Sequence, residues 1–409
     1  MARLPENHIK FPLTVDIEDV RNYQYDIKNK IEFRGFDKIV LDFSSSNVAF
    51  PESMLPIIVF CRMFQAEGVR FYCILPEDSK LSSLFLNANW AHLIDPKHYD
   101  ASTRKIQMNI PAREFRNLDE QVGVVNELID STLSVLLWAQ REHLSALEWA
   151  LNEIVDNTLT HSQSAQGGIV QLSLHPRTKD IEVVVADSGV GIPESLRTLP
   201  IYSELDDLMA LQSSLKEGVT RGTGQGNGLF GSSQISALSG GRFHVNSGKA
   251  YIALSRDGKS KQQRCLTAIF GTSIVFTINA STPLLLENSL KMGGRPFQHT
   301  DFVEIRYDVD EYSVPFRLRE ETKSVGSRAA GKEVRNKINF LMQQFPDRRV
   351  EVDAEGAGVF SSSFADEAFA KLQIELGKVG LTGKLRIQNL SALNQQLISR
   401  SVAQRQSEI

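Results

Sequence analysis

The sequence predicts an α/β protein of more than one domain, with small α/β units at both ends and a larger α/β region between them. At 409 residues the chain exceeds what one ordinary hydrophobic core holds, so two or three domains are expected. An apolar content of 42% and a charged content of 23% are typical of globular proteins. Helical and strand-like patterns also alternate along most of the chain.

The first region, residues 1–105, has a strand–helix–strand pattern. The run KIVLDF (38–43) predicts a strand, an apolar helix is expected over about 52–66, and VRFYCIL (69–75) predicts a second strand. We therefore expect a small α/β domain. Residues 106–117 are interpreted as a linker with some extended character.

The central region begins with helical periodicity and continues as strands. In LSALEWALNEIVDNTL (144–159) the apolar residues recur along one helical stripe. Strands are predicted at 168–175 and 180–187, a polar and mobile segment over about 194–221, and a second helix over 229–241. Three more strands, RFHVNS, KAYIALS and TSIVFTI, complete a sheet that ends near residue 285.

The last region, residues 286–409, repeats the pattern of the first hundred. A strand over 348–353 and another over 384–390 flank a predicted turn and helix. In both copies the first strand ends on an aspartate, Asp42 or Asp353, and a valine follows six residues later. Both ends therefore predict the same fold, although two unrelated strand–helix–strand units would give a similar pattern.

Composition excludes several classes of protein. The net charge of −4 gives no reason to expect a nucleic-acid or anionic-membrane surface. The three cysteines, Cys61, Cys73 and Cys265, have no metal-type spacing. The N-terminus lacks the apolar core of a signal peptide, and MLPIIVFCRMF (54–64) is too short to cross a bilayer. These features predict a cytoplasmic protein without a membrane segment.

The stretch NEIVDNTLTH (152–161) contains the first candidate site residues. Glu153 and Asn157 are four residues apart, so on a helix they share one face. A carboxylate and an amide oxygen side by side can form a metal and proton site. They can equally form a solvated helix edge.

The second candidate is VVVADSGVGIP (183–193), a strand that ends in Asp187, Gly189 and Gly191. A buried carboxylate beside open backbone can accept a hydrogen bond from the adenine amino group, and it rejects the carbonyl of guanine. A simple turn between strand and loop explains the same residues.

The third candidate is RGTGQGNGLFG (221–231), with glycines at two-residue intervals directly before a helix: Gly222, Gly224, Gly226 and Gly228. Glycines allow close backbone approach, and free N–H groups at a helix start attract phosphate. A flexible glycine-rich linker explains the glycines but not the helix that begins at once. By itself the run GTSIVFTI (271–278), which contains Thr272, does not indicate a site. It supports one only because it follows the other three candidate stretches in order along the chain.

The ordered set NEIVDN, DSGVGIP, GTGQGNGL and GTSIVFTI resembles the GHKL superfamily of ATP-binding domains, which includes gyrase, MutL-type repair proteins and histidine kinases. The stretch GQGNGLFGSSQISALSGGRF is similar, without a gap, to the kinase pattern GTGLGLxIxxxIxxxxGGxI. The resemblance covers residues 118–285. It implies the Bergerat fold, a two-layer α/β sandwich, with ATP and Mg²⁺ as cofactors.

The resemblance also implies a role for each residue. Asn157 stands where the Mg²⁺-holding asparagine lies, and Glu153 where the acid that activates water or serves as a phosphotransfer base lies. Asp187 stands at the adenine-reading position, with Gly189, Gly191 and Thr272 around it. The implied phosphate-side residues are Gly222, Gly224, Gly226 and Gly228, with an ATP lid over 194–221 and Lys216 and Arg221 as charge partners.

Two departures from the kinase pattern are visible, and the second, with the lack of a membrane segment, argues against an ordinary sensor kinase. Thr160 stands where kinases often have Lys or Arg, so this position does not offer their basic phosphate contact. No HExxxP-like phosphoacceptor helix precedes the domain, and His143 in REHLSALEW is better explained as a surface or packing residue.

The repeated ends resemble STAS-type domains. In anti-anti-sigma relatives a serine at the start of a helix is phosphorylated by a GHKL kinase, and the candidates at that place in the C-terminal copy are Ser361, Ser362 and Ser363. The alternative is that they only cap the helix. The N-terminal copy has Phe50, Pro51, Glu52 and Ser53 instead, which suggests that it has lost the acceptor.

Three functions fit these features. An ATP-driven switch would move the STAS-like domains or a regulatory partner, and slow hydrolysis would reset it. A serine kinase of the anti-sigma type would phosphorylate a STAS-type serine. A scaffold would bind ATP without chemistry. We favour the switch, and the resemblance implies that two copies of the chain could pair as a homodimer.

Overall fold

The protein divides into two compact units. The first combines Met1–Leu128 with Ala146–Gln298, and the second combines Ile129–Ser145 with His299–Ile409. The computed structural model describes residues 6–102, 109–135, 139–219, 227–283, 290–292, 295–296 and 302–407.

The N-terminal part of the first unit alternates short strands and helices. Its elements are β1 (His8–Lys10), β2 (Thr14–Val15), α1 (Val20–Lys28), β3 (Lys38–Asp42), β4 (Val48–Ala49), α2 (Pro51–Ala66), β5 (Arg70–Ile74), α3 (Ser79–Asn87) and α4 (Trp90–Ile94). Strands β1, β3 and β5 form a parallel sheet with β3 in the centre, and β2 pairs with β4. The predicted strand–helix–strand pattern is therefore present, since β3, α2 and β5 lie within two residues of the expected positions.

A five-stranded antiparallel sheet occupies the centre of the first unit, in the order β6–β7–β8–β10–β9. Its strands are β6 (Asn109–Phe115), β7 (Gly168–His175), β8 (Asp180–Asp187), β9 (Phe243–Leu254) and β10 (Ser260–Asn279). The two strands expected at RFHVNS and KAYIALS form the single strand β9. Most of the expected linker 106–117 forms β6, which tolerates Pro111 because it is an edge strand.

Five helices accompany this sheet in sequence. They are α5 (Leu118–Val135), α6 (Arg141–His161), α7 (Ile192–Arg197), α8 (Asp207–Ser214) and α9 (Gly228–Leu238). The first residues of α6 belong to the second unit and the remainder to the first. The segment expected to be polar and mobile contains α7 and α8.

The central sheet is buried on both faces. Asp187 pairs with Gly168, and Gly168 lies close to the Thr158 side chain of α6, so Asp187 points to the α6 side of the sheet. Side chains alternate along β8, so Val184 and Ala186 point to the opposite face, where they join the hydrophobic core of the N-terminal region. The two predicted layers are therefore extended by a third, in which α2 packs on β7, β8 and β10.

The second unit contains another three-stranded parallel sheet, in the order β13–β14–β15. Between the two sheets along the chain lies a short hairpin, β11 (Lys291–Met292) and β12 (Arg295–Pro296), counted with the first unit. The elements of the second unit are α10 (Phe302–Arg306), β13 (Ser313–Arg317), α11 (Leu318–Glu321), α12 (Arg328–Gln344), β14 (Arg349–Asp353), α13 (Ser362–Ala365), α14 (Lys371–Lys384, kinked at Gly377), β15 (Leu385–Gln388) and α15 (Ala392–Gln406).

The two end regions share a topology. In each, the central strand of the sheet ends on the predicted aspartate, Asp42 in β3 or Asp353 in β14. Each of these carboxylates accepts a hydrogen bond from the backbone N–H two residues further on, at 2.9 Å. The internal repeat expected from sequence is thus visible in strand order and in strand-end geometry.

No described helix combines the length and the apolar character that would let it cross a membrane.

Candidate functional site

Helix α6 carries two of the predicted site residues. Its apolar stripe is buried from Leu144 to Val155, whereas Leu159, Glu153 and Asn157 are partly buried. Burial raises the pKa of the Glu153 carboxyl, and the nearby Asp156 raises it further. A carboxyl group with a raised pKa is a better proton acceptor than an ordinary surface glutamate, which suits it to general-base chemistry.

Helix α9 begins directly against these two side chains. A Cβ atom placed on Gly228 would lie 2.5 Å from Glu153 Oε2 and 3.2 Å from Asn157 Nδ2. Only glycine therefore fits at this position without displacing the acid. The first N–H groups of α9, which lack partners within the helix, start beside a carboxylate and an amide.

Asp187 ends strand β8 and is only 6% exposed. Its Oδ1 accepts a hydrogen bond from the Gly189 N–H at 2.8 Å, and in register across the sheet it faces Thr272 of β10. Burial raises the pKa of Asp187 to about 7, although hydrogen bonds from the Gly189 and Thr272 backbone oppose that shift. The carboxyl group is thus held in a dry site at the end of a strand.

The turn after Asp187 is fixed by Ser247 of β9, a residue that no sequence motif marks. Ser247 Oγ accepts a hydrogen bond from the Ile192 N–H at 2.8 Å and lies 3.0 Å from Thr272 Oγ1. Gly191 adopts a φ of +81°, and a Cβ there would lie 2.8 Å from Ser247 Oγ. The predicted residues Gly191 and Thr272 are therefore brought together through Ser247.

Ser162 joins the same turn to helix α6. Its backbone carbonyl accepts a hydrogen bond from the Val190 N–H at 2.8 Å, and a Cβ on Gly189 would overlap that carbonyl. The Ser162 hydroxyl donates to the Thr158 carbonyl within α6. The turn that holds Asp187 and the helix that holds Asn157 are consequently tied one to the other, by a residue that the sequence motifs did not indicate.

The expected lid contains helices α7 and α8. Asp207, the first residue of α8, forms an ion pair with Arg197 at 2.8 Å and accepts a hydrogen bond from the Lys249 N–H at 2.6 Å. After α8, the Gly218 N–H donates to Asn227 Oδ1 at 2.9 Å, so the two residues that bracket the glycine-rich segment are joined.

Several predicted phosphate-side residues lie outside the described ranges, namely Arg221, Gly222, Gly224 and Gly226. Lys216 is exposed on the turn after α8, and it forms no ion pair with any residue that the structure describes. Its predicted role as a charge partner stays a prediction.

A metal site made only of protein ligands is not seen in the described part of the chain. No group of three or more His, Cys, Asp or Glu side chains is arranged there to hold an ion.

The predicted phosphoacceptor serines lie at the start of helix α13 in the second unit. Ser361 is the N-cap, since its side chain accepts a hydrogen bond from the Phe364 N–H at 3.1 Å. Ser362 is exposed, and Ser363 is partly buried. His143, also in this unit, is fully buried, and its Nδ1 accepts from the Gln140 N–H, as expected for a packing histidine.

Two family models match the chain. Residues 142–282 match the histidine kinase-, DNA gyrase B-, and HSP90-like ATPase family, and residues 330–395 match a STAS-like domain of unknown function (DUF4325). No curated protein matches the chain. Neither family match extends into residues 1–105.

These matches confirm the two resemblances that carry most of the functional expectation. The chain contains a GHKL domain, whose sheet is the antiparallel one described above, and a C-terminal STAS-like domain. A GHKL-type domain implies ATP binding and hydrolysis. The STAS-like character of the N-terminal region stays a prediction, supported by its shared topology with the C-terminal sheet.

Proposed function

We propose that the chain is a Mg²⁺-dependent, ATP-binding switch in which the GHKL domain controls the STAS-like domains and a regulatory partner. The observation that carries the proposal is the placement of a buried carboxyl, Asp187, at a strand end on the face of the sheet that α6 covers. Ser162 ties its turn to the end of the helix that bears Glu153 and Asn157.

Asp187 would read the adenine base. An ionised carboxylate accepts a hydrogen bond from the exocyclic amino group, and Thr272 across the sheet offers a hydroxyl beside it. Gly189 and Gly191 let the turn pack closely against Ser162 and Ser247, which fixes the position of the Asp187 carboxylate. An ionised carboxylate only accepts hydrogen bonds, which supports selection of the adenine amino group over the guanine carbonyl.

The triphosphate would extend toward the start of α9. The free N–H groups there favour phosphate oxygens, and Gly228 keeps that helix start against α6. Asn157 would hold Mg²⁺, and the bound ion would offset the negative charge of the triphosphate. Gly222, Gly224, Gly226, Lys216 and Arg221 are proposed to complete the phosphate side.

Glu153 would act as the base. It would take a proton from the attacking water as the new oxygen–phosphorus bond forms and the bond to the ADP oxygen breaks, giving ADP and inorganic phosphate. The raised pKa of Glu153 supports this role, because proton transfer works best when the pKa of the base approaches the working pH.

The switch role is supported by two features of the chain. Asp207 and Asn227 link the proposed lid to β9 and to the start of α9. Closure of the lid over a nucleotide would therefore move both β9 and the start of α9. Helix α6, which carries Glu153 and Asn157, begins among residues that are counted with the C-terminal unit. Pairing of two chains when the lid closes is a further expectation of this proposal.

A second function is a serine kinase acting on a STAS-type serine. Ser362 is an exposed hydroxyl in the first turn of a helix within the matched STAS-like domain, where a phosphate would be favoured. In that reaction Glu153 would take the serine proton instead of a water proton.

Incubation with ATP labelled at the γ-phosphate, with Mg²⁺, separates these functions. The switch releases labelled phosphate, the kinase leaves label on Ser361–Ser363 or on an added STAS-type protein, and a scaffold does neither. Absence of any adenine-nucleotide binding at millimolar concentration would refute the proposal.

The substitution Glu153→Gln tests the proposed base directly. We expect ATP affinity to change little and turnover to fall by about 10²–10³-fold, because the amide cannot accept a proton. Asp156→Asn is the companion variant, since it removes the neighbouring charge that raises the pKa of Glu153 but leaves the base in place, so it should change turnover far less than Glu153→Gln does. Turnover that survives in Glu153→Gln would remove this residue from the mechanism.

A further inference from the structure

We infer that Arg21 and Gln24 of helix α1 are positioning residues for the nucleotide site, through which the N-terminal region sets ATP affinity. The inference rests on the proposed function and deepens it, because it identifies a region outside the family match that shapes the pocket. Both side chains are buried, with Arg21 6% and Gln24 0% exposed.

Arg21 binds a bend in strand β9. Its Nη2 donates to the Gly248 carbonyl at 3.2 Å and to the Ala250 carbonyl at 3.0 Å. The N–H of the residue between them, Lys249, donates to Asp207 at the start of the lid helix α8. One short stretch of β9 is thus bonded to the N-terminal region through its carbonyls and to the lid through its N–H.

Gln24 holds the neighbouring stretch of β10. Its Oε1 accepts a hydrogen bond from the Phe270 N–H at 2.8 Å, and its Nε2 donates to the Pro56 carbonyl of α2 at 3.0 Å. The Phe270 ring stacks on Phe60 with centroids 4.9 Å apart, and Lys28 Nζ lies 4.6 Å from the same ring. The backbone of β10 is therefore fixed at Phe270 by groups from α1 and α2.

The regular pairing of β9 and β10 is interrupted at this place. The register shifts twice, between Arg264 and Ile269 and again between Ile269 and Thr272. Inter-strand backbone hydrogen bonds that an uninterrupted hairpin would form are lost at such bulges. Side chains from α1 hydrogen-bond the backbone there instead and hold it in position.

The part of β10 around Phe270 lies next to the turn of the proposed adenine site. Gly271, which follows Phe270, has a φ of +83°, and a Cβ there would overlap the Asp187 carbonyl. The Gly271 carbonyl accepts a hydrogen bond from Ser247 Oγ, the group that also holds the Ile192 N–H. A shift of β10 at Phe270 would therefore displace the turn that orients Asp187.

The consequence is that α1 acts on both halves of the nucleotide site. Arg21 acts on the lid through Gly248–Ala250 and Asp207, and Gln24 acts on the adenine turn through Phe270 and Gly271. A ligand or partner that moved α1 would change ATP affinity without touching a nucleotide-binding residue.

The test compares Arg21→Met with Val20→Ala in the full chain. Val20 is fully buried on α1 and its apolar side chain makes no hydrogen bond to the β9 carbonyls, so its truncation controls for general destabilisation of the helix. Two measurements are made, namely ATP affinity by calorimetry with Mg²⁺, and hydrogen exchange of residues 187–192 and 207–214 without nucleotide.

We expect Arg21→Met to weaken ATP binding by about tenfold and to speed exchange in both segments, because loss of the charged donor to the Gly248 and Ala250 carbonyls loosens the Asp207 contact and the adjacent Ser247, which holds the Ile192 N–H. Val20→Ala should leave affinity within about twofold of the wild type. Arg21→Lys, which keeps a charged donor but on a side chain of different length and shape, should give an intermediate affinity.

Equal behaviour of Arg21→Met and Val20→Ala in both measurements would overturn the inference. A wild-type chain that binds no ATP would instead refute the proposed function. In that case the exchange comparison alone decides whether Arg21 fixes the turn and the lid helix.

Discussion

The N-terminal and C-terminal regions share a sheet topology but differ in whether they pack against the GHKL sheet. Both contain a three-stranded parallel sheet whose central strand ends on an aspartate, Asp42 or Asp353. The N-terminal region covers one face of the GHKL sheet and shares its core, whereas the C-terminal region belongs to a separate compact unit. The N-terminal copy of this α/β topology thus forms part of the scaffold of the GHKL domain.

The difference is clearest at the helix that follows each central strand. In the C-terminal copy Ser361 caps the helix and Ser362 is exposed. In the N-terminal copy Ser53 is 1% exposed, and its hydroxyl donates to the Val15 carbonyl at 2.8 Å. The expectation that the N-terminal copy lacks an acceptor agrees with this burial, since a buried and bonded hydroxyl is not accessible to a kinase.

The largest expected effect is a loss of stability on truncating a buried ring, and it distinguishes the N-terminal core from the C-terminal core. Phe60→Ala removes a fully buried ring that packs against Phe270, and Phe364→Ala removes a fully buried ring in the C-terminal region. Each should lower the free energy of unfolding by about 3–5 kcal/mol. Only Phe60→Ala should also weaken ATP binding, because its cavity opens beside β10.

Urea unfolding followed by tryptophan fluorescence, together with ATP titration, checks this pair. If Phe364→Ala weakened ATP binding as much as Phe60→Ala did, the division of roles between the two end regions would be wrong.

The next effect compares two strand-end aspartates. Asp187→Asn should weaken ATP binding at least 100-fold, since the amide offers a poorer acceptor to the adenine amino group and adds a competing donor. Asp353→Asn should leave affinity unchanged, because Asp353 lies in the other unit. Calorimetric titration measures both, and retained affinity in Asp187→Asn would refute the adenine assignment.

The two aspartates should also respond to pH with opposite sign. The pKa of Asp187 is raised by burial to about 7, so its favourable contribution to stability is present below about pH 4 and lost as pH rises through 7. The pKa of Asp353 is lowered by hydrogen bonds from Asn389 and the Glu355 N–H, so its contribution is lost as the solution becomes acidic. Asp187→Asn should therefore stabilise the unliganded protein above pH 7, by at most about 4 kcal/mol.

A smaller effect is the pH dependence of ATP binding by the wild type. Below pH 7 Asp187 holds a proton in the free protein, and binding to the adenine amino group favours the ionised form. We expect affinity to fall by up to about tenfold for each pH unit below 7, with proton release on binding near neutral pH. A flat affinity profile between pH 5.5 and 8, measured in buffers of different ionisation enthalpy, would contradict the role of Asp187.

The smallest effects concern the serines of the C-terminal copy. Ser361→Ala should cost about 1 kcal/mol of stability through the lost cap, whereas Ser362→Ala should cost almost nothing because its side chain is exposed. Thermal unfolding compares them. If Ser362→Ala removed all label in the γ-phosphate experiment, the kinase would replace the switch as the better function.

The placement of the candidate site residues on their helices and strands was predictable from sequence, because it depends on local pattern and spacing, whereas their roles toward a nucleotide stay predictions. Glu153 and Asn157 share a helix face, Asp187 ends a strand, and Gly228 starts a helix, as the sequence indicated. The family match supports the order of these motifs.

The contacts that fix the pocket were not predictable in the same way. Arg21 bonds carbonyls that lie more than two hundred residues further along the chain, and no local pattern records such a partner. Ser162 and Ser247 act through single hydroxyl or carbonyl groups that any serine carries. Most of the linker expected at 106–117 is strand β6; its Pro111 is tolerated at a sheet edge, and only the sheet order shows that β6 lies at an edge.

Burial of the GHKL sheet on both faces has a consequence for synthesis of the chain. Helix α2 is complete at Ala66, but the strands that cover its apolar side end with β10, whose Val275 emerges about 210 residues later. At roughly 5–20 residues per second, that interval lasts about 10–40 s on a ribosome. During this time the α2 side chains that pack against the central sheet in the finished protein face solvent or a chaperone, so the nascent N-terminal region should be prone to aggregate.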